Sequence, residues 1–209
     1  LKLLESCKKT LPNELEQLLT RKIFTHANVP YRIKPFEQIV ENPRQTIDFD
    51  SELAQQIHNR CKTLGEDAKL LSDQDGNVLH VTLLEKFLTL TLAKLSNFVP
   101  DGGIWMNTQR PEWNDANNAL VGNGLSMVTA CYLHRWCIFL RDLLEDLQSR
   151  SLAVETSVSK SVGDLMHEVA TILFAHEPGE CSSAKARRAM CEQLGQAASH
   201  YRQRLYADG

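Results

Sequence analysis

Apolar residues recur at helical spacing along most of this chain. Leu11, Leu15, Leu18, Leu19 and Ile23 form one stripe, with Pro12 in the first turn, where its missing N–H is no loss. The spacing predicts a helix over 11–27. Residues 28–48 hold Pro30, Pro35 and Pro43 with no sustained period, and read as an extended connection. Leu53, Ile57 and Cys61 predict a second helix, capped by Asp50 or Ser51 and stopped at Gly65. A short turn is expected over 66–71. Asp73-Gln74-Asp75-Gly76-Asn77 is a turn by composition and lacks the later acids of a calcium loop.

The most apolar stretch is 81–99, with Leu83, Leu84, Phe87, Leu88, Leu90, Leu92 and Leu95. It is apolar nearly all round and predicts a buried helix, while Thr82, Thr89 and Thr91 also suit a strand. After a polar interval, 125–147 gives a strong amphipathic helix. Met127, Val128, Cys131, Tyr132, Trp136, Ile138, Phe139, Leu143 and Leu144 form its expected buried side. A further helix over 158–176 carries Val162, Leu165, Met166, Val169, Ile172 and Leu173, and stops at Pro178-Gly179. Ser182 or Ser183 caps a last, alanine-rich helix through Tyr206, with one face expected on the surface. The fold class expected is all-α, built of antiparallel helical hairpins in a single domain over 1–209.

Composition changes this picture little. The chain has 209 residues, 43% hydrophobic and 23% charged, which is ordinary globular composition. A net charge of -3 gives no electrostatic footprint for nucleic acid. No uncharged apolar run approaches the roughly 20 residues that span a bilayer, so no membrane partner is expected. The six cysteines form no CxxC pair and no zinc spacing, so no metal or cofactor is expected. Most fall on apolar stripes as small hydrophobes, which favours a reducing, cytoplasmic setting. The first residue is Leu1, and the chain reads as a piece of a longer protein.

The chemistry concentrates between Gly102 and Gly124. Trp105, Arg110, Glu112, Trp113, Asn114, Asp115, Asn117 and Asn118 fall in this one stretch. Flat aromatic faces suit the C–H side of a sugar, and amides and a guanidinium suit its hydroxyls. Glu112 and Asp115 are three apart, so one helical turn puts both carboxylates on the same face. Two close carboxylates repel as anions, which raises the pKa of one and leaves an acid able to protonate a leaving oxygen. Glycosidic cleavage needs such a proton, because its transition state builds positive charge on the sugar ring. The bland alternative is a helix N-terminus with acids on its dipole and asparagines as caps. Nothing supports a nucleophilic triad: no GxSxG elbow is present, and Cys131 with His134 reads as packing plus a surface imidazole. Gly122-Asn123-Gly124 is too short for a phosphate loop and reads as a close approach of two helices.

Arg110-Pro111-Glu112-Trp113-Asn114-Asp115-Ala116-Asn117-Asn118-Ala119 resembles the Trp-Asn-Asp signature of the six-hairpin, or (α/α)6 toroid, carbohydrate enzymes. The nearest group is that of the cellobiose and chitobiose phosphorylases and their cyclic glucan-processing relatives. The resemblance implies a glycoside hydrolase or phosphorylase acting on an oligosaccharide or glycan. It implies Asp115 as general acid, Glu112 as second carboxylate, and Trp113 and Asn114 in the sugar-facing wall. Ala116 stands where the phosphorylases have glycine, and Glu112 where they have aspartate, so hydrolysis and phosphorolysis both stay open. Each hairpin of a toroid takes roughly 30–50 residues. The chain therefore corresponds to about half a ring, a partial toroid, with the rest of the pocket in the remainder of a parent chain. Such a piece is expected to be inert or very weak by itself. The alternative is a non-catalytic helical interaction module that uses the apolar helix of 81–99 to meet a partner.

Overall fold

The computed structural model describes residues 1–107, 121–149, 157–176 and 183–208. Among these the chain is mostly helical. Its helices are α1 (Lys2–Thr10), α2 (Pro12–Thr20), α3 (Phe36–Glu41), α4 (Ser51–Leu64), α5 (Leu83–Leu95), α6 (Met127–Ser149), α7 (Lys160–Phe174) and α8 (Ala184–Asp208). Two small antiparallel sheets accompany them. One pairs β1 (Tyr31–Ile33) with β2 (Ile47–Phe49); the other has the order β3 (Phe98–Val99), β4 (Gly103–Trp105), β5 (Leu125–Ser126). The expected all-α class thus holds for the bulk of the chain and fails at these strands.

Helix α5 organises the interior because it serves two cores. Leu84 and Phe87 pack with Leu15 and Leu19 of α2 and with Leu140, Leu143 and Leu147 of α6. Leu92 packs with Val162, Leu165 and Val169 of α7 and with Met190, Leu194 and Ala197 of α8. Leu88 lies against both clusters. That double duty explains an apolar pattern running nearly all round the helix. Thr82 fits its N-terminus, where the hydroxyl accepts from the Glu85 N–H at 3.1 Å. The buried Glu85 carboxylate then accepts from the Ser159 N–H at 3.0 Å, at the start of α7. Thr89 and Thr91, which also suit a strand, turn their hydroxyls back onto the carbonyls of Glu85 and Phe87.

Thr91 does a second job. Its Oγ1 accepts from the Trp136 indole N–H at 2.8 Å, while the indole ring meets Phe87 edge-on at 4.9 Å. Thr91→Val keeps the shape but strands that N–H. The expected loss is about 1 kcal/mol, at the low end of the penalty because Trp136 is only partly buried. Urea denaturation reads it, and Thr91→Ser is expected to retain most of the stability.

Several element readings are corrected. The helix expected over 11–27 ends at Thr20; Phe24 and Ala27 then form bridges to Val81 and Leu70. Leu15 and Leu19 are buried as expected, whereas Ile23 is exposed. The extended connection over 28–48 contains β1, α3 and the start of β2. Their short lengths leave no room for a hydrophobic period. α4 matches its reading: Asp50 Oδ1 accepts from the Leu53 N–H, and Gly65 ends it at φ 65. Ser183 Oγ accepts from Ala186 N and so caps α8. On α6 the buried residues Leu140, Leu143 and Leu147 all fall in the second half; Met127, Val128, Cys131, Tyr132, Ile138 and Leu144 are exposed, contrary to expectation.

Candidate functional site

Of the predicted site residues, Trp105 is described; Arg110, Glu112, Trp113, Asn114, Asp115, Asn117 and Asn118 lie outside the described residues. What the structure gives is the platform from which that acid-rich stretch departs and to which it returns.

The platform is built on the β3–β4 turn. Asp101 at φ 60 and Gly103 at φ 135 reverse the chain after β3, and Gly103 stands so close to Ser126 that a Cβ would lie 2.9 Å from its carbonyl oxygen. β4 is thereby pressed between β3 and β5. Met106 N–H donates to Gly124 O at 3.0 Å, and Gly122 N–H donates to Met106 O at 2.7 Å. The residues that bracket the stretch are therefore bonded to each other across the sheet. Gly122 has φ 81, and a Cβ there would lie 2.6 Å from Pro43 O. This corrects the reading of Gly122-Asn123-Gly124: the glycine admits the backbone after α3, not a second helix.

Trp105 is half-buried at the centre of this platform. Its indole N–H donates to Gly122 O at 3.1 Å, and its ring meets Phe36 of α3 edge-on, with centroids 6.5 Å apart. The indole N–H is thus committed to backbone. Trp105 can offer a ring face to a sugar, but not a hydrogen bond from that nitrogen. Phe36 is held in turn: its N–H donates to Ser199 Oγ at 3.1 Å, and its ring lies directly over Gly195 of α8.

Asn97 and Asn107 tie the other side down. Trp105 N–H donates to Asn97 O at 2.8 Å, and the Asn107 amide donates to Asn97 Oδ1 at 2.6 Å. Asn97 in turn donates to Ala93 O at the end of α5. Asn107 is 5% exposed, so the last described residue before the stretch is buried and oriented. Sequence reading missed Phe36, Asn97, Asn107 and Gly195. An asparagine that bonds a partner ten residues away leaves no periodic signal, and one glycine in an alanine-rich helix looks incidental.

Two further groups reach this platform from α8: Arg187 pairs with Asp101 of the turn at 3.3 Å, and the Cys191 thiol donates to Phe98 O at 3.6 Å. Among the described residues no group of three or more His, Cys, Asp or Glu could hold a metal ion. Cys131 and His134 are both exposed on α6. His26 lies 3.3 Å from Lys86 Nζ; burial, and then the Lys86 cation, push its pKa below the usual histidine value. Helix α5, the surface expected to serve an interaction module, uses its apolar residues inside the chain, Leu90 excepted. An exposed apolar face lies on α6, where Val128 is 67% and Tyr132 55% exposed. Among the described residues no helix is long and apolar enough to cross a membrane.

No known family model matches the chain, and no curated protein is significantly similar to it.

Proposed function

We propose that this chain is the sugar-site portion of a glycoside-processing enzyme, a partial (α/α)6-type toroid acting on an oligosaccharide or glycan. One observation carries the reading: an acid, a tryptophan, amides and a second acid stand within Glu112–Asn118, on a stretch whose two bracketing residues are bonded together beside Trp105. A site that cleaves a glycosidic bond must hold a proton donor within hydrogen-bond reach of the bridging oxygen. A stretch anchored at both ends to a small sheet meets that demand better than one that is free to wander.

In this reading Asp115 gives its carboxyl proton to the bridging oxygen as the bond from that oxygen to the anomeric carbon breaks. The electron pair of that bond stays with the departing oxygen. Positive charge grows on the ring, and the incoming water or phosphate oxygen takes the anomeric carbon. Glu112 keeps the Asp115 proton in place near neutral pH by like-charge repulsion. Trp105 and Trp113 cover the apolar side of the sugar. Arg110, Asn114, Asn117 and Asn118 bond its hydroxyls. The nucleophile and the opposite wall come from the remainder of a parent chain, and the compartment proposed is the cytoplasm.

The test is a panel of oligosaccharides offered to the parent protein and to this chain, each with and without inorganic phosphate. Release of reducing sugar marks hydrolysis, and release of a sugar phosphate marks phosphorolysis. The expected result is turnover by the parent and little or none by the chain alone. A parent that turns over nothing in the panel, and binds none of it, defeats the reading. A second reading, a non-catalytic interaction module, is favoured by the exposed Val128 and Tyr132 on α6. It expects this face to be protected from hydrogen exchange in the parent and no glycan to bind.

A further inference from the structure

A second place in the molecule has the makings of a ligand site, and it stands apart from the acid-rich stretch. Between β1 and the C-terminal half of α8 lies a cavity of about 170 Å³. Arg32 of β1, Lys34 just after it, Asp48 of β2, and Ser199, Arg202 and Tyr206 of α8 line it. Ser199, Arg202 and Tyr206 recur three and four apart, so one face of α8 supplies them all.

The cavity has more positive charge than it neutralises. Three cations and the Asp48 carboxylate line it, and Asp50, paired with Arg32, adds a second carboxylate, which leaves an excess of one. Lys34 Nζ lies 3.3 Å from Asp48, which occupies one of its three donors. Arg32 Nε lies 3.3 Å from Asp50, and its guanidinium sits 4.7 Å from the Tyr206 ring centroid. Both are therefore held in place with N–H groups to spare. Arg202 differs from them. Its Nε is buried and meets no hydrogen-bond acceptor, and among the described residues it forms no ion pair. Burial lowers its pKa, which expresses the cost of an unanswered buried charge.

Buried donors are rarely left without acceptors, and a bound oxyanion is one source of them. We propose that this cavity binds a phosphate-type oxyanion, either inorganic phosphate or the phosphoryl end of a small phosphomonoester. A tetrahedral oxyanion has oxygens for Arg202 and Lys34 together, where one guanidinium already engages both oxygens of a carboxylate. The planar guanidinium of Arg202 offers paired donors to such an oxyanion, and Lys34 adds a point charge. The cavity admits one such group and a few waters, given roughly 30 Å³ for each water. The Tyr206 hydroxyl accepts from Ile33 N–H at 3.1 Å, which ties strand and helix together at this wall of the cavity. This inference does not depend on the glycoside reading.

The experiment is an amide chemical-shift titration of the labelled chain with inorganic phosphate, glycerol phosphate and acetate, at fixed ionic strength. Ile33, Ser199 and Tyr206 are expected to shift saturably with both phosphates and far less with acetate. Arg202→Met keeps the apolar stem and removes the charge; Lys34→Gln changes a side chain nearer the surface. Each is expected to raise the phosphate Kd by about tenfold to a hundredfold, the loss of one charge-assisted hydrogen bond. If Arg202→Met unfolds, Lys34→Gln alone decides. Tighter binding of glycerol phosphate than of phosphate identifies the monoester as the ligand, and the reverse identifies the free ion. No saturable shift, equal affinity for acetate, or an affinity unchanged in the folded variants overturns the proposal.

Discussion

Asp115→Asn is expected to lower turnover of a natural glycan by the parent protein about 10²- to 10⁴-fold, the usual worth of a positioned general acid. The amide keeps the shape of the carboxyl but has no comparable proton to give. Fold and sugar binding are expected to survive, so kcat falls while KM changes little. The loss is expected to depend on the leaving group. An alcohol-like sugar oxygen needs the proton, whereas an acidic phenol departs without one. An aryl glycoside with such a phenol is therefore expected to lose far less activity in the variant. Glu112→Gln supplies the complementary result. Removing the neighbouring anion makes Asp115 easier to deprotonate, so the alkaline limb of the pH–rate profile moves to lower pH. A mere helix cap at either position predicts neither the leaving-group dependence nor the displaced limb. Equal losses on both substrate types would take the donor role from Asp115.

The chain's sequence carries its long helices plainly and its platform hardly at all. Asp50 and Gly65 mark both ends of α4, because capping is a local transaction between a side chain and backbone three residues away. Leu83–Leu95 reads as buried because two cores demand apolar residues on opposite sides. The first half of α6 misleads for the opposite reason. Met127, Val128 and Tyr132 keep a core-like spacing, yet nothing among the described residues covers them. Spacing reports what a face is able to bury, not whether a partner is there. β3, β4 and β5 are two or three residues long, too short to show alternation, and β5 depends on a pairing with β4, from which it is distant in sequence. The stretch proposed to hold the sugar is visible by its composition alone. Its anchors are not, because Asn97, Phe36 and Gly195 owe their roles to where other elements deliver them.

The last of these anchors gives the sharpest structural test. Gly195→Val is expected to destabilise the chain by about 3 kcal/mol, measured by urea denaturation. A Cβ at residue 195 would overlap Cε2 and Cδ2 of Phe36. The ring has little freedom to retreat, being 7% exposed, tied through its own N–H to Ser199, and set edge-on to Trp105. Valine is a somewhat better helix former than glycine, but that gain is a few tenths of a kcal/mol and does not offset the overlap. The strain must then move Phe36, and Phe36 supports the tryptophan beside which the acid-rich stretch is anchored. The variant is therefore expected to change Trp105 fluorescence below the unfolding transition as well as lowering its midpoint. Phe36→Ala alone leaves a cavity and costs about 3 kcal/mol. Combined with Gly195→Val, it gives the new methyl groups somewhere to go. The two changes together are expected to cost less than their sum by at least about 1 kcal/mol, a coupling that touching residues show and distant ones do not. Strict additivity would mean that Phe36 does not lie on Gly195 and does not carry that support to Trp105.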